Sequence, residues 1–143
     1  MKKPVSSYND AGDLAKLMVN AKRLGDETVY NDAFKRKCEI EGADVSDPLH
    51  GRFLEVLAAY EGLLLEKHGR RQPAGRTRQK MAKSGIETCL IDWALDSKES
   101  DAFKLLSDRG MLDLTGEFVV TQFPDRFESH VVAAANVRLD KYR

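Results

Sequence analysis

Residues 67 to 83, KHGRRQPAGRTRQKMAK, hold seven Lys or Arg side chains, one His and no acid, in a chain whose formal net charge is zero. The seven are Lys67, Arg70, Arg71, Arg76, Arg78, Lys80 and Lys83. The chemistry open to such a run is electrostatic. Cations converging on one rim displace condensed counterions from a phosphate backbone, and affinity then falls steeply with salt. Arginine outnumbers lysine four to three here, and its planar fork suits phosphate or carboxylate better than the point charge of an ammonium. A plain solvated joint between helices is the competing explanation, with Lys67 and His68 complementing a helix C-terminus.

Other chemistries lack their residues. His50, His68 and His130 lie on three separate segments, without Cys, Asp or Glu at a ligand spacing such as HxxxH or CxxC, so no metal is expected. No Ser sits where a hydrolase nucleophile would need to be. Neither GxxxxGK[ST] nor GxGxxG occurs, and RQPAGR has too little glycine to wrap a nucleotide, so no cofactor is expected. Carboxylates such as Glu55 and Glu61 read as helix-surface groups, and no confident strand exists to carry a PD-(D/E)xK nuclease centre. The chain is therefore expected to be non-catalytic by itself, with a subunit role beside another chain's active site as a minor possibility.

The elements that must position the basic run are helical. Asp10 and Asp13 open a helix whose Leu14, Leu17, Met18, Ala21 and Leu24 repeat at three- and four-residue spacing up to Gly25. Asp26 opens the next, with Val29, Ala33, Phe34 and Ile40 inward and Gly42 beyond, and so short a connection makes the two a hairpin. Asp47-Pro48 is a helix entry, followed by the stripe Leu49, Phe53, Val56, Leu57, Tyr60 and Leu64 as far as Gly69. Pro73 and Gly75 then break the path, so the basic run is a joint, followed by a short charged helix over RTRQKMAKSG.

Beyond Gly85, Ile86, Cys89, Leu90, Trp93 and Ala94 define a helix with an acidic polar face. Ser100 caps DAFKLLSDRG, LTGEFVVTQF makes a short helix or compact turn, Pro124 marks a corner, and a last helix from about Ser129 aligns Val132, Ala135 and Leu139. The expectation is an all-α fold, a compact single-domain bundle of about seven helices built from helical hairpins. Residues 1–9 are read as a flexible N-terminus and 10–143 as one helical domain. TRQKMAKSGIETCLIDWA has the broad outline of a helix-turn-helix. Its second helix, however, presents Glu87, Thr88, Asp92 and Asp96, where a reading helix needs Arg, Lys, Asn or Gln.

At 143 residues the chain can bury a core without staples, so Cys38 and Cys89 read as reduced core thiols. Balanced charge, 23 basic against 23 acidic residues, argues against coating nucleic acid through overall charge. No apolar run approaches the roughly 20 residues of a spanning helix, and MKKPVSSYND has no apolar stretch after its lysines. A cytoplasmic protein that does not engage the membrane is expected.

Two stretches, AAYEGLLLEKHGRRQPAGRTRQKMAKSGI and GMLDLTGEFVVTQFPDRFESHVVAAANVRL, resemble a group of small all-helical bacterial proteins that share a GR…RTRQ joint and a PDRF corner and have no assigned activity. The resemblance covers most of residues 13 to 140. It implies one compact domain and draws notice to Gly69, Arg70, Arg76, Arg78, Pro124 and Phe127.

From the residues themselves, the first expectation is nucleic-acid or polyanion binding through the joint 67–83. The rival is a protein-interaction or adaptor module, including a homodimer, in which the joint meets an acidic surface. There the aromatic segment 114–127 would anchor a partner through Phe118, Phe123 and Phe127.

Overall fold

The structure is a computed structural model that describes residues 3–143. The fold is all-α: among the described residues there are eight α-helices and no strand. They are α1 (Ala11–Leu24), α2 (Glu27–Gly42), α3 (Pro48–His68), α4 (Gly75–Ser84), α5 (Ile86–Leu95), α6 (Asp101–Asp108), α7 (Gly116–Gln122) and α8 (Ser129–Asp140). Three one-turn 3-10 segments, Val5–Ser7, Leu112–Leu114 and Pro124–Arg126, lie between or before them. None of the helices is long and apolar enough to cross a membrane. Within the span expected to form one domain, the chain gathers into two compact units, one ending at Gly62 and one running from Leu63 to Arg143, so the division falls inside α3.

In the first unit, α1 and α2 pack as the expected hairpin. Asp10 accepts from the Gly12 amide at 2.7 Å and Asp26 from the Val29 amide at 3.1 Å, so both caps form as the residue types dictate. Between the helices Gly25 takes φ 72°, and the Asp26 amide reaches back to the Ala21 carbonyl at 2.8 Å, which satisfies carbonyls the helix end leaves open. Leu14, Ala21, Ala33, Phe34 and Cys38 are buried. Leu24 is 69 % exposed; ten residues on from Leu14 it falls about 80° off the seam. Ahead of α1, Arg36 ties the chain down, donating to the Tyr8 carbonyl at 2.9 Å and to Asn9 Oδ1 at 3.0 Å.

Glycine sets how α2 approaches the first part of α3. A Cβ on Gly42 would stand 2.3 Å from the Gly51 carbonyl oxygen, and one on Gly62 would stand 2.8 Å from the Phe34 ring. Asp47 accepts from the Leu49 amide at 3.1 Å, and Pro48 sits where a missing amide costs nothing. The buried line of α3 is Leu49, Phe53, Val56, Leu57, Ala59 and Leu63. It leaves the expected stripe after Leu57, because Tyr60 and Leu64 are only half-buried.

In the second unit α5, α7 and α8 pack against one another, and α4 packs on α5. Cys89, Leu90, Ala94, Val119, Val120, Val131, Ala135 and Leu139 are buried. Ser100 accepts from the Phe103 amide at 3.1 Å and caps α6, as its place before Asp101 suggests.

Candidate functional site

The basic run becomes a joint through backbone chemistry. α3 closes at His68, and Gly69, at φ 70°, donates its amide to the Leu65 carbonyl at 2.8 Å. Residues 70–74 lie outside any helix, and the Pro73 carbonyl accepts from the Gly75 amide at 2.9 Å as α4 begins. Ala74 offers α4 no side-chain cap. At the other end, Gly85 alone separates α4 from α5; it takes φ 89° and donates to the Met81 carbonyl at 2.9 Å. A helix-turn-helix uses a turn of about three or four residues, so α4–α5 is a tighter corner than that motif.

Helical periodicity sorts the cations of α4. Arg76, Gln79, Lys80 and Lys83 share one side, whereas Arg78 lies about 160° round from Arg76. Thr77 and Met81 are half-buried and mark the inner side. The side chains of Lys67, Arg70, Arg71, Arg76 and Lys83 lie on exposed residues and, among the described residues, make no ion pair. Lys80 is half-buried and pairs with Asp92 of α5. Arg78 is exposed but engaged within the chain. From Arg71 to Arg76 the backbone spans at most about 17 Å, and from Arg76 to Lys83 the helix rises about 10 Å. The structure therefore separates the seven expected cations into five open ones and two that are occupied.

The acids nearest the joint are occupied as well. Glu66, in the last turn of α3, takes both arms of the Arg109 guanidinium, one at 3.0 Å, the two-pronged geometry in which arginine and carboxylate pair most strongly. On α5, Asp92 holds Lys80 and Glu87 accepts from Arg126 at 2.6 Å. These pairs fix the end of α3 and the approach of α4 to α5, and they leave the acidic face of α5 with few free charges for self-association.

The aromatic segment turns largely inward. Thr115 accepts from the Phe118 amide at 3.2 Å and caps α7, which places Val119 and Val120 in the core. Phe127 is 9 % exposed, while Phe118 and Phe123 are half-buried.

Next to this segment lies a buried polar clasp that sequence reasoning missed. Arg138 of α8 donates to Glu117 of α7 at 3.0 Å and to the Trp93 carbonyl at 2.7 Å, and also to the Asp96 carbonyl. Glu117 is 3 % and Arg138 8 % exposed. Burial pushes the Glu117 carboxyl above its ordinary range, against the opposing pull of Arg138. The signal was present in the sequence: Arg138 stands seven residues from Val131 and three from Ala135, on the buried register of its helix. Gly116 completes the clasp, because a Cβ there would stand 2.5 Å from the Trp93 ring.

Neither thiol is set up for reaction. Burial, with Glu55 nearby, pushes Cys38 up to about 12, and burial raises Cys89 as well; a nucleophilic cysteine needs the opposite shift. Among the described residues no group of three His, Cys, Asp or Glu could hold a metal ion. No protein-family model, curated protein or solved structure matches the chain.

Proposed function

We propose that this chain binds a polyanion, nucleic acid foremost, through the joint 67–83, without catalysing a reaction itself. The observation that carries the reading is the pattern of pairing around the joint. Five exposed cations, Lys67, Arg70, Arg71, Arg76 and Lys83, make no ion pair among the described residues, while Glu66 and Glu87 are held by Arg109 and Arg126 from outside the joint and Asp92 takes only Lys80 from it. A connector that was charged only for solubility would have no reason to keep five cations open while Glu66 and Glu87 take partners from outside it. The backbone from Arg71 to Lys83 reaches at most about 27 Å, which limits how far apart the charges can lie.

The test is equilibrium binding to labelled nucleic acid across a salt series. Five phosphate contacts give a slope of about −4.5 in log–log form for a duplex, or about a 500-fold loss between about 50 and 200 mM salt. The quadruple variant Arg70→Ala/Arg71→Ala/Arg76→Ala/Lys83→Ala, with unchanged helicity by circular dichroism, should lose most of that affinity and most of the slope. A flat salt response, or a variant that binds as well as the parent, would remove the reading. It would point instead to a protein partner, with the half-buried Phe118 and Phe123 as its apolar contacts.

A further inference from the structure

We infer that the polyanion is a duplex, gripped by its phosphates and not read by its bases. This rests on the polyanion reading above and narrows it. Proteins that hold single strands stack bases on aromatic side chains, worth about 1–3 kcal/mol per base. Between residues 67 and 84 there is no Phe, Tyr or Trp, the one ring being the imidazole of His68 at the end of α3, and Met81, the one sizeable apolar side chain of α4, is half-buried. The joint therefore offers much charge and a single small ring, not a row of rings on which successive bases stack.

Base reading in the major groove needs a helix that can enter it. On its flank toward α5, α4 meets Asp92, which holds Lys80, so that side brings no open cation to a groove. Of the outward residues on α4, Gln79 alone has the amide that pairs with adenine, and it is flanked by Arg76, Lys80 and Lys83. On α4 the exposed cations, Arg76, Arg78 and Lys83, outnumber it three to one.

Charge density then favours the duplex. It carries one phosphate per about 1.7 Å of axis against about 3.4 Å for one strand, and each contact releases about 0.9 counterion against about 0.7. For five contacts the difference in slope is about 1, which at about 50 mM salt amounts to about a 20-fold preference for the duplex.

The experiment measures binding of the full chain, by fluorescence anisotropy at about 50 mM salt, to four probes. They are a DNA duplex in two unrelated sequences, its separated single strand, an RNA duplex and inorganic polyphosphate. The expected result is a preference of roughly 20-fold for duplex over single strand, with the two DNA sequences bound alike; the RNA arm identifies which duplex form supplies the phosphates. Equal or tighter binding of the single strand overturns the inference and leaves phosphate binding by the joint in place. A more than tenfold difference between the two DNA sequences also overturns it, since bases would then be read. Binding of polyphosphate alone overturns the duplex while sparing the polyanion reading, and binding of none of the probes overturns both.

Discussion

Replacing Arg138 by methionine removes a charge of similar length from a place where three groups depend on it. Glu117 loses the cation it pairs with among the described residues, and the carbonyls of Trp93 and Asp96 lose the donor that closes the C-terminal end of α5. Breaking a buried pair on one side costs about 3–5 kcal/mol, because the remaining charge has no compensation. With about 2.1 cal/mol/K of unfolding entropy per residue, the 143-residue chain should lose about 10–17 °C of Tm. Thermal melts followed by far-ultraviolet circular dichroism give that number, and the single Trp93 reports the loosening locally by fluorescence. The double variant Glu117→Leu/Arg138→Met should regain part of the loss, since no buried charge remains. It should not regain all of it, because the Trp93 and Asp96 carbonyls still lack their donor. The pH response supplies an independent check. Burial raises the Glu117 carboxyl above 4.5, so the folded state binds the proton more tightly than the unfolded state. Stability from this group is full below 4.5 and declines as pH rises through the folded value. Glu117→Gln should flatten that decline. An Arg138→Met variant that loses less than about 1 kcal/mol, with an unchanged pH profile, would refute the reasoning.

The remaining expectations concern packing, the joint and the thiols. Gly116→Ala puts a Cβ against the Trp93 ring, should cost about 1–3 kcal/mol by overpacking, and should shift the tryptophan emission. Gly42→Ala should be worse than Gly62→Ala, because the first meets the Gly51 backbone and the second a Phe34 ring that can move; paired urea melts decide it. Asp92→Asn releases Lys80 and should add one contact, making the salt slope steeper by about 0.9 and the affinity several-fold higher at low salt. Cys38, buried and pushed up to about 12, should react with a thiol reagent at pH 8 only at the rate of opening, and at once in denaturant.

What could be read from the sequence was what short-range physics determines. Asp10, Asp26, Asp47 and Ser100 cap as their types require, and Gly25, Gly69, Gly85 and Gly110 take the positive φ that ends or turns a helix. The break covers residues 69–74, starting earlier than Pro73 and ending at Gly75, which opens α4. Burial seams were legible to within one position on the wheel: Leu24 falls outside, and Ala59 and Leu63 take over from Tyr60 and Leu64. Long-range pairs were not legible. Glu66 meets Arg109 across 43 positions and Glu117 meets Arg138 across 21, and among 23 acids and 23 bases no local rule selects these partners. The same holds for Gly42 and Gly51, whose lack of a side chain matters only once two helices cross there.

The open cations are not kept at the joint by stability. Their neighbours in sequence remain neighbours when the chain unfolds, so mutual repulsion acts on both states and largely cancels, and exposed substitutions of this kind shift stability by only about 0.5 kcal/mol. A charge arrangement neutral to folding is free to serve binding. Outside residues 67–83 the other 126 residues carry a net charge of −7, balancing the +7 of the joint. On the proposed reading, a polyanion would be attracted at one place and repelled by the average of the rest, which would orient the encounter and work against coating. The stoichiometry on a long duplex should stay sparse at low salt, and the Asp92→Asn change should strengthen the grip without increasing the number of molecules bound per length.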